Sequence, residues 1–547
     1  MDFNYIDVIV MVAFFAALLL IPAISALKSK GKGASEYFKS AGTMPWWLIG
    51  VSMVAATTST NSANLFTEIV RRDGLCGNWV WWAFLLTGML TVFVYSKLWV
   101  RSGATTDISF YEIRYSGKPA AFLRGFRALY LGVIYNLSVM ATVLLGAVKI
   151  GVVLFGVPAS TILIVTAVVS LIYSSLSGIR GTIYTDFFIF AVVMTGACAV
   201  MYYGVTHPAV GGWSSLMSNP EVTSRLSFFP DISNKDAFIA IFLIPVAVQW
   251  WSVWYSGSEP GGGGYIVQRM LTAKSPNHAV GGTLFFNVLN YALRPWPWYI
   301  AAFASLIIFP DLNSIREAFP DVNPALVGDD MAYPAMIKIV PNGWIGLVAA
   351  SLMGALFSTI AAQLSMGANY VTNDIWKRFV RKDASDRELI WVARGSSLLL
   401  IIAGCALAPC LESAKAGFNL MVQIGAGTGL IFLLRWFWMR INAWTEIVAM
   451  IVSFFAAVFF ELIWPHISAT ELLFSQKLLW TIGVTTASWL IATFVTAPEK
   501  PEVIANFKSL VRADGRDVGK GVLKMFLASI AIFAFMWAVG ALIGTIK

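Results

Sequence analysis

Long apolar runs recur from one end of the chain to the other, with only short polar stretches between them. A run of about 20 apolar residues is long enough to cross a bilayer as a helix. On that rule the pattern predicts about fourteen spans, near 5–27, 45–70, 76–100, 126–155, 158–178, 182–204, 237–256, 279–308, 343–370, 390–410, 415–438, 443–464, 477–497 and 521–545. The opening MDFNYIDVIVMVAFFAALLLIPAISAL carries Asp2 and Asp7 where a cleavable leader has basic residues. It reads as the first span. Residues 498–520 form the one sizeable polar stretch late in the chain and predict a loop or an interfacial helix.

The loops support this count. Those after odd-numbered spans hold the basic residues: Lys28, Lys30, Lys32 and Lys39; Arg101, Arg114, Lys118, Arg124 and Arg127; Arg180; Arg269 and Lys274; Lys377 through Arg394; Arg440; and Lys500 through Lys520. The opposite loops, 205–236 and 309–342, hold few. Basic loops stay in the cytoplasm, so both termini are expected outside a cell (inner) membrane.

Composition agrees. The 547 residues are 58% hydrophobic and 12% charged, about half the charge of a soluble domain. A net charge of +9 on a soluble chain would suggest nucleic acid; here the charges read as topology signals, and no nucleic acid is expected. Cys76, Cys198, Cys405 and Cys410 have neither zinc nor disulfide spacing and read as small buried hydrophobes.

Irregular backbone survives in a membrane only where it lines a cavity, and two spans are interrupted. In span two Thr57, Thr58, Ser59, Thr60, Asn61 and Ser62 run consecutively. Such residues bond to the backbone and weaken a helix. An unwinding over 57–62 would free carbonyls that, with the hydroxyls, suit an alkali cation; packing of small residues is the other reading. In span seven WWSVWYSGSEPGGGGYIVQR, residues 250–269, cannot continue a regular helix. Its aromatics would either stack on a solute or form an interfacial belt. The breaks fall five spans apart, at the first helix of each half of a five-plus-five arrangement, the strongest sequence pointer to a transporter site. In span nine Ala355, Ser358 and Thr359 share one helix face. Two charges lie within spans, Asp186 and Arg294. Such charges default to function. Arg294 either pairs with a carboxylate such as Asp186 or Glu68, or with freed carbonyls, or presents its planar fork to a solute.

PWWLIGVSMVAATTS at 45–59, YSSLSGIRGTIYTDFF at 173–188, YIVQRMLTAKS at 265–275, and ALFSTI through NDIW at 355–376 resemble the sodium:solute symporters. The resemblance covers nearly the whole chain. It implies an all-α polytopic membrane protein with a LeuT-like inverted-repeat core. Residues 1–44 would be peripheral, 45–204 the first repeat, 205–236 an outer loop, 237–438 the second repeat and 439–547 peripheral. It implies a sodium site at the carbonyls of Ala55, Thr58 and Ala355 and the hydroxyls of Ser358 and Thr359, with Asp186 beside it. The family's stacking aromatics fall on Trp254 and Tyr255. The solute site would also take Asn61, Ser62, Asn290, Arg294 and Gln423.

The chain departs from galactose-carrying members. Ser62 stands where they have glutamine, Leu85 and Gly88 where they have glutamate and serine, Ile189 replaces the glutamine after the TD motif, and Asn290 falls near their lysine. The expected function is sodium-coupled import of a small polar solute, a sugar or sugar derivative, with no cofactor beyond sodium and no obligate protein partner. An amino acid or carboxylate solute, proton coupling, or a channel of the same fold stays open. A pump is disfavoured because no Walker-type phosphate loop is present, GRDVGKG at 515–521 having the wrong spacing. A membrane enzyme is disfavoured because the three histidines, His207, His278 and His466, sit near span ends.

Overall fold

The computed structural model describes residues 3–28, 43–104, 107–176, 179–253, 259–320, 322–411, 413–468, 470–512, 515–542 and 544. Lys30, Lys32 and Lys39 lie outside them. The architecture is helical. Nine helices among the described residues are long and apolar enough to cross a membrane, and a tenth follows if Pro276–Ile308 and Leu312–Ala318, bent by 87°, count as one span. The other four expected spans are built from shorter pieces: Trp46–Thr57 with Thr60–Asp73, Ala159–Leu176, the segments through Gln249–Trp251, and Ala414–Ala426 with Gly429–Leu434. Three of these four are interrupted, so a length criterion does not return the fourteen that hydropathy suggests.

The two breaks sit where expected. Thr58 and Ser59 are extended, with φ/ψ of −96°/111° and −125°/173°. The first break is narrower than the predicted 57–62. The Ser62 hydroxyl accepts from the Ser59 amide at 3.2 Å and restarts the helix at Thr60, a local cap that satisfies an orphan donor. In the second break the helix ends at Trp251 and resumes at Gly264. Gly261, Gly262 and Gly264 take φ of 82°, 90° and 41° there, which side chains other than glycine rarely adopt.

Around these breaks the helices pack on small residues. Trp46–Thr57 crosses Pro276–Asn287, and a Cβ on Gly50 would lie 2.8 Å from the Gly282 carbonyl. The Ile179–Thr206 helix packs against both Trp46–Thr57 and Trp344–Asn369, and so carries Asp186 to their junction. Asp7 near the start of the first helix accepts from the amides of Gly343 and Gly346 at 2.6 and 2.7 Å, at the head of the Trp344–Asn369 helix. In the polar stretch near 500, Pro501–Val511 is a helix that buries Phe507 and Val511.

Two simple expectations need correcting. Not all loop charges are topology signals: Arg114, Arg127 and Arg269 are buried. Each has hydrogen-bond partners inside the protein, which offsets its desolvation. None of the four cysteines is fully buried: Cys198 and Cys410 are exposed because their helices turn those positions outward, and Cys76 and Cys405 are half-buried.

Candidate functional site

At the first break Thr58 is held from two sides. Its carbonyl accepts from the Thr359 hydroxyl at 3.2 Å. Its own hydroxyl donates to the Val54 carbonyl at 2.7 Å and accepts from Arg294 Nη1 at 2.6 Å. The Ala55 carbonyl accepts the Thr58 amide at 3.0 Å. Ser358, one position before Thr359, donates to Asp186 Oδ1 at 2.8 Å, which leaves its oxygen lone pairs free. Ala355 lies buried one turn earlier. Carbonyl and hydroxyl oxygens converge here, the hard donors that suit an alkali cation.

Asp186 is buried and fully engaged. Besides Ser358 it accepts from the Ser52 hydroxyl at 2.6 Å and from Arg269 Nη2 at 3.1 Å, and Arg269 Nε donates to Ser52 at 2.8 Å. Ser52 and Arg269 are the residues that sequence reading missed. By charge pattern Arg269 belongs to a basic loop, but its place on the helix that follows the second break signals that it turns inward. The Asp186–Arg269 pair ties the start of the Ile179–Thr206 helix to the helix after that break.

A cavity opens on the other side of Thr58. It is lined in part by Thr57, Ser59, Asn61, Ser62, Phe66, Trp81 and Arg294, with Phe418 and Met421 across it. A π-helical turn over Val288–Leu293 precedes Arg294, whose amide donates to the Leu289 carbonyl at 2.8 Å. The widened turn and Pro295 after it rotate the side chain toward the break. Its guanidinium carbon stands 5.8, 5.9 and 5.7 Å from the ring centres of Phe66, Trp81 and Trp298.

The remaining expected solute residues divide. Asn61 and Ser62 line the cavity. Asn290 stands behind it, its Oδ1 3.4 Å from the Thr57 hydroxyl. Gln423 faces away, with Nε2 3.5 Å from the Thr481 hydroxyl on the Phe474–Val495 helix. Trp254 and Tyr255 lie outside the described residues. Glu68, considered as a partner for Arg294, instead accepts from the Ser413 hydroxyl and the Lys415 amide.

The sequence profile of the sodium:solute symporter family matches residues 37–453. The chain belongs to that family. This symporter is 24% identical to a sodium/glucose cotransporter of Vibrio parahaemolyticus over 84% of its own length and 85% of the relative's. It is 26% identical to a sodium/myo-inositol cotransporter 2 of Oryctolagus cuniculus over 93% and 79%. Its fold matches a sodium-coupled sialic acid symporter solved in a substrate-bound outward-open state, with a TM-score of 0.70 at 20% identity over 91% of this chain and 99% of that one. The symporter is thus an all-α LeuT-fold membrane transporter that couples a solute to sodium.

Proposed function

We propose that the chain imports a small polar solute, a sugar or sugar derivative, by alternating access driven by the sodium gradient. Sodium binds the carbonyls of Ala55, Thr58 and Ala355 with the hydroxyls of Ser358 and Thr359, and Asp186 holds Ser358 in place. The solute enters the cavity beside Asn61, Ser62 and Arg294, with Asn290 behind them. Trp254, Tyr255 and Gln423 are assigned to the same solute site on the resemblance to the family alone. The inner membrane and outward-facing termini follow from the basic loops.

The observation that carries this reading is the hydrogen bond from Thr359 to the Thr58 carbonyl. It places the break of the first repeat against the hydroxyl face of the Trp344–Asn369 helix, where one ion can bridge the two. An ion bound there favours one arrangement of the two elements and with it the affinity for solute. That coupling is reciprocal. Proteoliposomes test it: an imposed sodium gradient should drive uptake above the external solute concentration. Uptake that only equilibrates would identify a channel, and uptake that follows a proton gradient without sodium would replace the coupling ion.

A further inference from the structure

Arg294 is 1% exposed, and among the described residues no carboxylate pairs with it. Its three nitrogens are used unequally. Nη1 is anchored by Thr58 at 2.6 Å. Nε and Nη2 have no partner although both are buried. Those two atoms form one edge of the guanidinium, the edge that takes both oxygens of a carboxylate in parallel hydrogen bonds. Leaving a permanent cation in an apolar core with two N–H groups unmet is expensive. The two acids that the sequence offered as its partners are committed elsewhere: Asp186 to Arg269, Ser52 and Ser358, and Glu68 to Ser413 and Lys415. The three rings around the guanidinium screen it from water but supply no hydrogen-bond acceptor.

We infer that the transported solute is a carboxylate, its anionic group held bidentately by the Nε/Nη2 edge of Arg294. This rests on the symport reading above and names its substrate class. The rest of the cavity lining suits such a solute, and the cavity, about 40 Å³ here, must widen to admit it. Asn61 Oδ1 is buried without a partner and accepts a hydroxyl, while Phe66 and Trp81 give apolar faces to a ring or chain. A neutral sugar would leave the cation uncompensated. Thr58 joins the two ligands: its carbonyl belongs to the sodium side and its hydroxyl orients the arginine.

Thermal stabilisation of the full-length protein in sodium tests this. The probes are D-glucuronate and D-galacturonate, each against its parent hexose, and monocarboxylates from formate to benzoate, each against its amide. At least one acid should stabilise the wild type at concentrations about tenfold or more below its neutral partner. Arg294→Lys should weaken that acid about tenfold or more, while the stabilisation given by sodium alone persists. Thr58→Val, which keeps the guanidinium but removes its anchor, should weaken it less and covers the case in which the lysine variant does not fold. A hexose or amide equal to its acid, an acid unaffected by both variants, a chloride response equal to the best acid's, or silence from the whole acid series would each overturn the carboxylate assignment. Loss of any sodium response in the wild type would instead sink the symport reading.

Discussion

Thr359 and Ser358 are neighbours on one helix, yet they bond to different elements, and substitution should separate their roles. Thr359 reaches the Thr58 carbonyl, and Ser358 reaches Asp186. Thr359→Ala removes a direct oxygen and should weaken sodium affinity about tenfold, the scale of one lost hydrogen bond to a charged group; Thr359→Ser should restore most of it. Ser358→Ala should also weaken sodium, while leaving Asp186 held by Ser52 and Arg269. Both variants should stay folded, since neither removes much core volume. Sodium titrations followed by thermal stabilisation give the answer, and unchanged affinity in both would remove these residues from the site.

The broken helices depend on glycines in the elements facing them. A Cβ on Gly429 would lie 1.6 Å from the Trp251 carbonyl, and one on Gly425 would lie 2.2 Å from the Val253 carbonyl. Both contacts are with backbone at the end of the second broken helix, where Tyr135 also donates to the Val253 carbonyl at 2.7 Å. That backbone is pinned and cannot retreat cheaply. Gly429→Ala is expected to destabilise the protein by about 1–3 kcal/mol, with a lowered melting temperature and reduced transport. Gly483→Ala, where a new Cβ meets nothing within 4 Å, is the matched control. Equal melting temperatures for the two variants would mean that the second break is not held by this close approach.

Two buried polar clusters seal the packed arrangement near opposite ends of the span built from Ala414–Ala426 and Gly429–Leu434. At one end Lys149 pairs with Asp330 at 2.5 Å, and Asp330 also accepts from the Ala414 amide at 3.2 Å. At the other, Arg127 pairs with Glu259 within the second break, and Arg435 meets Glu446 at 3.3 Å and the Tyr111 hydroxyl at 2.8 Å. Ala414 and Arg435 begin and end one expected span, which sets the clusters a membrane apart. Asp330→Ala takes a hydrogen-bond acceptor from the Lys149 ammonium and from the Ala414 amide and should raise the free energy of the closed arrangement by about 1–3 kcal/mol. Faster outside labelling at a S62C position, with native cysteines removed, is the expected readout. Acid should act in the opposite direction. Burial pushes the Asp330 carboxyl above its ordinary value of 3.8, against the pull of Lys149. Opening returns it to water and to that ordinary value, so the closed state binds the proton more tightly. The bias toward closure is greatest below the ordinary value and is lost as pH rises through the raised one. Labelling that quickens as the pH is lowered from neutrality would contradict this.

The helical membrane architecture and both helix breaks were legible from residue order alone. Hydropathy, glycine runs and helical spacing are local properties that the chain carries into any fold. The width of the first break was also local in origin, but it depends on a cap between Ser59 and Ser62 that a run of six polar residues obscures. Pairings between distant segments were not legible. Asp186 and Arg269 stand 83 residues apart, and Arg294 and Thr58 stand 236 apart. Nothing in the sequence states that Asp186 takes the nearby cation while Arg294 keeps a free edge. Buried charges choose partners by geometry, and that geometry exists only once the two halves of the chain have packed around the breaks.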